Sequence, residues 1–178
     1  MPNERPDLSA LEGVVSPKVL DAMRTAHREL TRIGVPHLLV GGLAVGAYGY
    51  PRATKDVDFL VGDEAFVQHD GGVVTMKPGV PIQVAGVLVD HLSAQEGEEH
   101  LRELLRQPSA GDPAVAPIDV LVYLKLKSPR AKDRADVIEL VKAGIDVQSC
   151  RAYLSAHAVE LLPSLEAAVQ SAAREEED

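Results

Sequence analysis

The stretch that decides the fold reads Val40-Gly41-Gly42, then thirteen residues, then Asp56-Val57-Asp58-Phe59. A short apolar run, His37 to Val40, comes before the glycines and predicts a buried strand that ends at a bend. A second strand is predicted at Asp56 to Val61, where polar and apolar residues alternate and the sequence then becomes continuously apolar. Side chains at i and i+2 share one face of a strand, so Asp56 and Asp58 are expected to point the same way.

The flanking sequence predicts the rest of an α+β fold, with a mixed β-sheet flanked by helices and a helical C-terminal part. A long first helix is expected from Ser16-Pro17, an N-cap followed by proline, to Gly34. The other elements follow from apolar periodicity and from Gly and Pro breaks. Strands are predicted at 73–76, 82–84, 87–92 and near Val115, and helices at 43–48, 117–128, 132–143, 149–157 and 159–173. The stretch 98–106 is interpreted as a helix or a mobile excursion.

The 178 residues suit one domain with a helical appendage. The predicted parts are a loose N-terminal arm at 1–15, an α/β core at 16–116, a helical segment packed on it at 117–174 and an acidic tail at 175–178. No apolar run reaches the roughly 18 residues of a membrane span, and the polar N-terminus does not resemble a signal peptide. We therefore expect a cytoplasmic protein that does not contact membranes.

Composition and charge exclude several classes of function. Hydrophobic residues make up 46% and charged residues 25%, which excludes collagen-like, disordered and disulfide-stapled chains. Aromatic residues are only 3%, too few for a base-stacking platform, and the net charge of −9 disfavours a broad phosphate-binding surface. The single cysteine, Cys150, cannot form an internal disulfide and is interpreted as a small, partly buried residue.

The two aspartates and the two glycines together predict a site for a nucleoside triphosphate. Carboxylates as close as Asp56 and Asp58 repel each other unless a cation lies between them, and Mg²⁺ (or Mn²⁺) prefers such oxygen ligands. Backbone N–H groups at Gly41 and Gly42, between a strand and a helix, form a natural cradle for phosphate. Asp90 is the best candidate for a third carboxylate, since it is the one acidic residue in the run Val87 to Leu92.

This constellation resembles a known family. Two glycines followed at this distance by Asp-x-Asp, with Arg52 and Thr54 just before the acidic pair, are similar to the pattern of the nucleotidyltransferase superfamily of DNA polymerase β-like folds. More narrowly, the chain resembles the minimal nucleotidyltransferases and the abortive-infection toxin-type nucleotidyltransferases. Many members have Gly-Ser where this chain has Gly41-Gly42, so a hydroxyl that could touch phosphate is missing here.

The second half of the chain extends the resemblance to about residues 30–145. In this half, the residues that resemble the helical segment after the sheet of the toxin-type proteins are Leu124-Lys125-Leu126, Arg130, Lys132-Asp133 and Asp136. The resemblance implies a nucleotidyltransferase-like fold and transfer of a nucleoside monophosphate from an NTP to an acceptor hydroxyl, with release of pyrophosphate. It also implies a toxin–antitoxin or phage-defence setting with a cognate partner protein.

The resemblance assigns a role to each candidate residue. Asp56 and Asp58 would bind two Mg²⁺ ions, and Asp90 would bind the ion that activates the acceptor hydroxyl and could take its proton. Gly41 and Gly42 would hold the β- and γ-phosphates, with Thr54 among the nucleotide-binding residues. Arg52 or Lys125 would neutralise charge on the triphosphate.

Several alternatives remain open on the sequence alone. Lys125, Lys132, Asp133 and Asp136 could form ordinary ion pairs on a helix surface. The acceptor could be a tRNA end, a protein or a small molecule. The acidic balance disfavours RNA unless a basic patch gathers near the site from Arg52, Lys55, Lys125, Lys127, Arg130 and Lys132. The chain could instead be a catalytically silent binding partner of the same fold. An aspartyl-nucleophile phosphatase fits less well, because an apolar strand continues beyond Asp58.

Overall fold

The computed structural model describes residues 5–177, which form one unit built around a sheet and one built from helices. The sheet unit comprises Val15–Gly42 and Ala53–Val115. The helical unit comprises residues 5–14, Leu43–Arg52 and 116–177. Helix α2, Gly41–Ala47, begins in the sheet unit and continues into the helical unit. The predicted α+β class, with a mixed sheet and a helical C-terminal part, is confirmed.

The sheet has four strands in the order β1-β2-β6-β5. These strands are β1 (His37–Val40), β2 (Val57–Val61), β5 (Gln83–Val84) and β6 (Val87–Ser93). The central pair β2 and β6 is parallel, whereas β1 pairs with β2 and β5 pairs with β6 in antiparallel orientation. The sheet is therefore mixed, and its parallel pair places corresponding residues of β2 and β6 side by side.

Helix α1, Pro17–Arg32, packs on this sheet, and local signals set both of its ends. The Ser16 hydroxyl accepts a hydrogen bond from the Lys18 backbone N–H, and Pro17 occupies the first helical position. Gly34 follows the helix with a left-handed φ of 73°. The inward face is apolar and consists of Val19, Leu20, Ala22, Met23, Ala26 and Leu30. The predicted first helix is confirmed.

Two histidines join α1 to β1. The Nδ1 atom of His27 lies 2.7 Å from Nε2 of His37, and Nδ1 of His37 lies 2.7 Å from the carbonyl oxygen of Val35. That carbonyl only accepts, so Nδ1 of His37 carries a proton and its Nε2 accepts from Nδ1–H of His27. The Nε2 atom of His27 in turn lies 3.0 Å from a carboxylate oxygen of Asp112. Burial holds the pKa of His37 below its ordinary value.

Smaller elements complete the sheet unit, and two of them differ from the sequence prediction. A hairpin pairs β3 (Phe66–Gln68) with β4 (Val74–Met76), and α3 spans Glu99–Arg106. Strand β3 was not predicted from the sequence. The strand expected near Val115 is reduced to a single bridge to Leu39.

The helical unit contains four C-terminal helices. They are α4 (Ile118–Lys127), α5 (Ala131–Lys142), α6 (Val147–His157) and α7 (Leu162–Glu177). The Tyr48 hydroxyl donates a 2.8 Å hydrogen bond to the carbonyl of Ala116, which links the segment after α2 to the start of the C-terminal stretch. The sequence predicts a small, partly buried residue at Cys150; the side chain is fully buried, and burial raises the pKa of its thiol to about 12.

Both terminal segments that the sequence predicts contain helical structure. Within the arm predicted at 1–15, a 3-10 helix covers Leu8–Leu11 and Leu11 is fully buried; residues 1–4 lie outside the described part. In the tail predicted at 175–178, residues up to Glu177 continue α7, and Asp178 is likewise outside it. The predicted boundaries at 116 and 174 stay predictions. None of the helices within residues 5–177 is long and apolar enough to cross a membrane.

Candidate functional site

The two glycines stand where β1 passes directly into α2. The sequence predicts this helix from Leu43, but it begins at Gly41, so both glycines belong to its first turn. Gly41 has a φ of 69°, which is the left-handed region that favours glycine. A Cβ atom built at Gly41 would lie 2.7 Å from Cγ of Asp58. The Oδ2 atom of Asp58 would be even closer to that Cβ atom. Glycine at position 41 therefore lets the Asp58 carboxylate lie directly against the backbone.

Asp58 and Asp90 are direct neighbours across the parallel strand pair. In the register of β2 and β6, Asp58 is the Cα partner of Asp90, and Val57 is the partner of Val89. Both valines are buried, whereas Asp58 is half-buried and Asp90 is exposed, so the two carboxylates share the opposite face of the sheet. Neighbouring strands lie about 5 Å apart, so the pair brings two like charges close together.

Asp56 lies one residue before β2 and is half-buried. Strand alternation places it on the side of Asp58. In the described part of the chain, however, no three His, Cys, Asp or Glu side chains lie close enough together to hold a metal ion. The structure therefore brings Asp58 together with Asp90 and Gly41, but it does not gather three carboxylates into one cluster.

A pair of carboxylates still fits the metal that the sequence predicts. Mg²⁺ in nucleotide sites is bound by one or two carboxylates together with substrate phosphates and water, and a closed cage of protein ligands is unusual for it. Asp58 and Asp90 supply two hard oxygen donors from rigid neighbouring strands. This donor set matches a divalent cation that is held jointly with a phosphorylated ligand.

The predicted cations Arg52 and Lys125 lie in the helical unit, each bonded to carboxylates of α5. Arg52 donates from Nε to Oδ1 of Asp136 at 3.0 Å and from Nη2 to Oδ2 at 2.8 Å. The Lys125 ammonium donates to Asp136 at 2.8 Å and to Asp133 at 2.7 Å. The ion pairs that the sequence left open as an alternative for Lys125 are thus present, but they are buried and do not lie on a helix surface.

Asp133 has further partners near the start of α5. Arg130 donates to it from Nε at 2.8 Å, and the Ser128 hydroxyl donates to the same oxygen. Burial alone would raise the pKa of Asp133, but the hydrogen bonds from Lys125, Ser128 and Arg130 outweigh that effect and hold the pKa below its ordinary value. Asp133 is therefore an ionised, fully bonded group within the helical unit.

The sequence does not show that Asp133 and Asp136 are buried and that both bind Lys125. They are three positions apart on α5, so they share one face of the helix. That spacing, with Lys125 on the preceding helix, was the available signal. Thr54, by contrast, lies half-buried in the segment between α2 and β2, and its predicted role toward a nucleotide stays a prediction.

Comparison with known proteins gives similarity to solved structures. Neither family models nor curated proteins match the chain. Among solved structures it is similar to the crystal structure of an antigenic nucleotidyltransferase-like protein from Paracoccidioides brasiliensis. The two share 14% sequence identity and a TM-score of 0.45, over 88% of this chain and 94% of the other. A similarity of this size supports no functional assignment.

Proposed function

We propose that the protein is a Mg²⁺-dependent nucleotidyltransferase that moves a nucleoside monophosphate from an NTP to an acceptor hydroxyl. The observation that carries this proposal is the direct pairing of Asp58 with Asp90 on parallel strands, with the Asp58 carboxylate against Gly41. This arrangement places two carboxylates that can bind a metal ion next to the backbone of Gly41 and Gly42, which carry no side chains. The family resemblance of the Gly-Gly and Asp-x-Asp pattern gives this arrangement its chemical interpretation.

The roles of the acidic residues follow from their exposure. Asp58 and Asp90 would hold Mg²⁺ or Mn²⁺, with Asp56 on the same side as Asp58, and the bound ions would stabilise the attacking and leaving oxygens of an in-line displacement. Asp58 is half-buried against Gly41, which suits a fixed ligand. Asp90 is exposed, so an acceptor can approach it, and it receives the proton of the acceptor hydroxyl.

The bond changes are those of phosphoryl transfer. The acceptor oxygen forms a bond to the α-phosphorus, the bond from that phosphorus to the bridging oxygen of the β-phosphate breaks, and pyrophosphate leaves. The backbone N–H groups of Gly41 and Gly42 donate hydrogen bonds to the β- and γ-phosphates. Because these are main-chain donors, a missing serine hydroxyl at position 42 does not remove them.

The test is transfer of label from each α-labelled NTP, with Mg²⁺, to total cell RNA, cell protein or a panel of small hydroxyl compounds. We expect one acceptor class to become labelled and the label to be lost in Asp58→Asn. Asp70→Asn, at an exposed acid in the turn of the β3–β4 hairpin, is the control and should label like the wild type. Equal labelling by Asp58→Asn and the wild type would contradict the proposal.

A second candidate function is a catalytically silent binding module of the same fold, for example one member of a toxin–antitoxin pair. The observation that favours it is that the described residues hold no group of three metal-binding side chains. The two candidates differ in calorimetry with Mg²⁺ and a non-hydrolysable NTP. Binding of the nucleotide together with label transfer supports the enzyme, whereas the absence of both supports the silent module.

The biological setting that we propose is toxin–antitoxin or phage defence, in the cytoplasm and with a cognate partner protein. This part rests on the resemblance to the toxin-type nucleotidyltransferases. If it is right, induced expression of the wild-type chain arrests growth of a bacterial host, and expression of Asp58→Asn at the same level does not. Growth arrest by both variants would separate toxicity from nucleotide transfer.

A further inference from the structure

Three residues of β6 form an exposed row on the face of the sheet that carries the paired carboxylates. Leu88, Asp90 and Leu92 alternate along the strand, so their side chains share one face, and we call them the β6 row. Leu88 is 52% exposed and Leu92 is 38% exposed, whereas Val87 and Val89 on the other face are buried. The exposed carboxylate of Asp90 therefore has apolar surface on both sides along the strand.

The strand order determines which reactant meets the β6 row. Gly41, at the end of β1, lies against Asp58 of β2, and Asp58 is the register partner of Asp90 on β6. Across the sheet, the glycine backbone is followed by the two carboxylates and then by β5. In the proposed reaction the β- and γ-phosphates lie at the glycines. Because the attacking and leaving oxygens are in line on opposite sides of the α-phosphorus, the acceptor lies over β6.

The chemistry of this side of the sheet favours an acceptor with apolar neighbours. Strands β5 and β6, which the structure describes in full, contain no lysine or arginine. The hydroxyl groups of an RNA acceptor lie next to phosphates, and such phosphates are bound mainly by cationic side chains. The β6 row offers two leucines instead, and apolar surface is buried most favourably against other apolar groups.

The length of the β6 row indicates the size of the acceptor. Leu88 and Leu92 are four residues apart, and a strand advances about 3.3 Å per residue, so the row extends over roughly 13 Å. A small hydroxyl compound at Asp90 would leave much of this row uncovered. An extended polypeptide of about four residues has the same length and covers both leucines.

We propose that the β6 row is the acceptor-binding surface, and that the acceptor is a serine, threonine or tyrosine side chain in a protein segment with apolar neighbours. This inference rests on the proposed function, because it assumes that a nucleoside monophosphate is transferred. It goes further by choosing the class of acceptor and by assigning Leu88 and Leu92 to its binding.

The transfer to such a side chain balances as follows from the proposed reaction. The side-chain oxygen forms a bond to the α-phosphorus, which creates a phosphodiester between the protein acceptor and the nucleoside. The proton of the hydroxyl passes to Asp90, and pyrophosphate leaves with the bridging oxygen.

The test measures which acceptor receives the label and how the two leucines affect it. The protein, Mg²⁺ and each α-labelled NTP are incubated with total cell protein, with total cell RNA or with small hydroxyl compounds. We expect label in the protein fraction that protease treatment removes and ribonuclease treatment does not. Leu88→Ser and Leu92→Ser should each lower this labelling about tenfold or more, because each removes apolar contact with the acceptor.

Matched variants separate acceptor binding from general damage, after circular dichroism has confirmed that each variant is folded. Val74→Ser makes the same kind of change at a 57% exposed residue of β4, outside the β6 row, and should label like the wild type. Leu88→Met keeps an apolar side chain and should retain most of the labelling. In calorimetry with Mg²⁺ and a non-hydrolysable NTP, Leu88→Ser and Leu92→Ser should bind within about twofold of the wild type, because the leucines contact the acceptor.

The outcomes distinguish this inference from the proposed function. Label in RNA or in a small hydroxyl compound, and not in protein, would overturn the inference while leaving nucleotide transfer intact. Wild-type labelling of protein by either Leu88→Ser or Leu92→Ser, or an equal loss in Val74→Ser, would also overturn it. Labelling of none of the three acceptor classes would instead remove the proposed function itself.

Discussion

Gly41 decides how the carboxylate of Asp58 is placed. Alanine at this position would have to adopt a left-handed backbone, which costs about 1–2 kcal/mol, and its Cβ would also displace Asp58. We expect Gly41→Ala to lower the free energy of unfolding and to abolish nucleotide transfer. Urea unfolding and the labelling assay measure the two effects.

Gly34→Ala is the matched control for this substitution. Gly34 has a similar φ of 73°, but a Cβ there would meet no atom within 4 Å. It should therefore show the same backbone cost and keep its transfer activity. If Gly41→Ala stays active, the close approach of Asp58 to the backbone is not needed for the reaction.

Cys150 gives a second prediction for a single residue. Full burial and a thiol pKa of about 12 leave almost no thiolate at neutral pH. We expect the folded protein to resist a thiol reagent such as Ellman's reagent, and the protein in 6 M guanidinium to react with one equivalent. Rapid reaction of the folded protein would show that the helices around α6 open readily.

The contact between α1 and β1 predicts a pH dependence of stability. In the arrangement described above, Nε2 of His37 accepts a hydrogen bond from Nδ1–H of His27, so protonation of His37 would set two N–H groups against each other. Its pKa lies below the ordinary value mainly because of burial, so the unfolded chain binds this proton more readily than the folded one. The resulting stability is fully present above about pH 6.5 and is lost as the pH falls through the pKa of the folded state.

Thermal melts between pH 5 and 8 measure this effect. The other groups that face the pair are the exposed Asp112 carboxylate and the neighbouring His91. We expect His37→Leu to reduce the loss of stability on acidification, and His157→Gln, at an exposed histidine of α6, to keep it. An unchanged acid response in His37→Leu would assign the effect to other groups.

The paired strands β2 and β6 predict a property of the whole molecule, its melting temperature. Asp58 and Asp90 are register partners, and like charges directly opposite each other destabilise a sheet. In the presence of a chelator, Asp90→Asn should therefore melt above the wild type by a few degrees. Added Mg²⁺ should narrow the gap, because the ion relieves the same repulsion in the wild type. A lower melting temperature for Asp90→Asn would indicate a structural role.

The parts of the molecule that the sequence could predict are those with local causes. Ser16, Pro17 and Gly34 mark the ends of α1 within a few residues, and the apolar run at 37–40 is sufficient to indicate β1. Strand alternation correctly places Asp58 opposite to the buried Val57. These features depend on neighbours in the chain, so composition and spacing reveal them.

The parts that could not be predicted depend on distant residues. The hydrogen bonds from Arg52 to Asp136 join residues 84 positions apart in the sequence, and no local sequence pattern predicts them. The register that pairs Asp58 with Asp90 depends on how a parallel strand returns to the sheet, and the convergence predicted for Asp56 is not seen as a cluster of three. A sequence suggests candidates for such a site, but packing decides which of them meet.

The helical unit is formed by three separate stretches of the chain, which affects how it can fold during translation. Leu11 and Tyr48 are buried in a unit whose remaining part, 116–177, leaves the ribosome after both of them. A nascent chain that stops near residue 116 therefore presents both apolar side chains without the helices that belong to their unit. We expect such truncated products to be recruited by chaperones or degraded, and to become protease-resistant when 116–177 is supplied as a separate polypeptide.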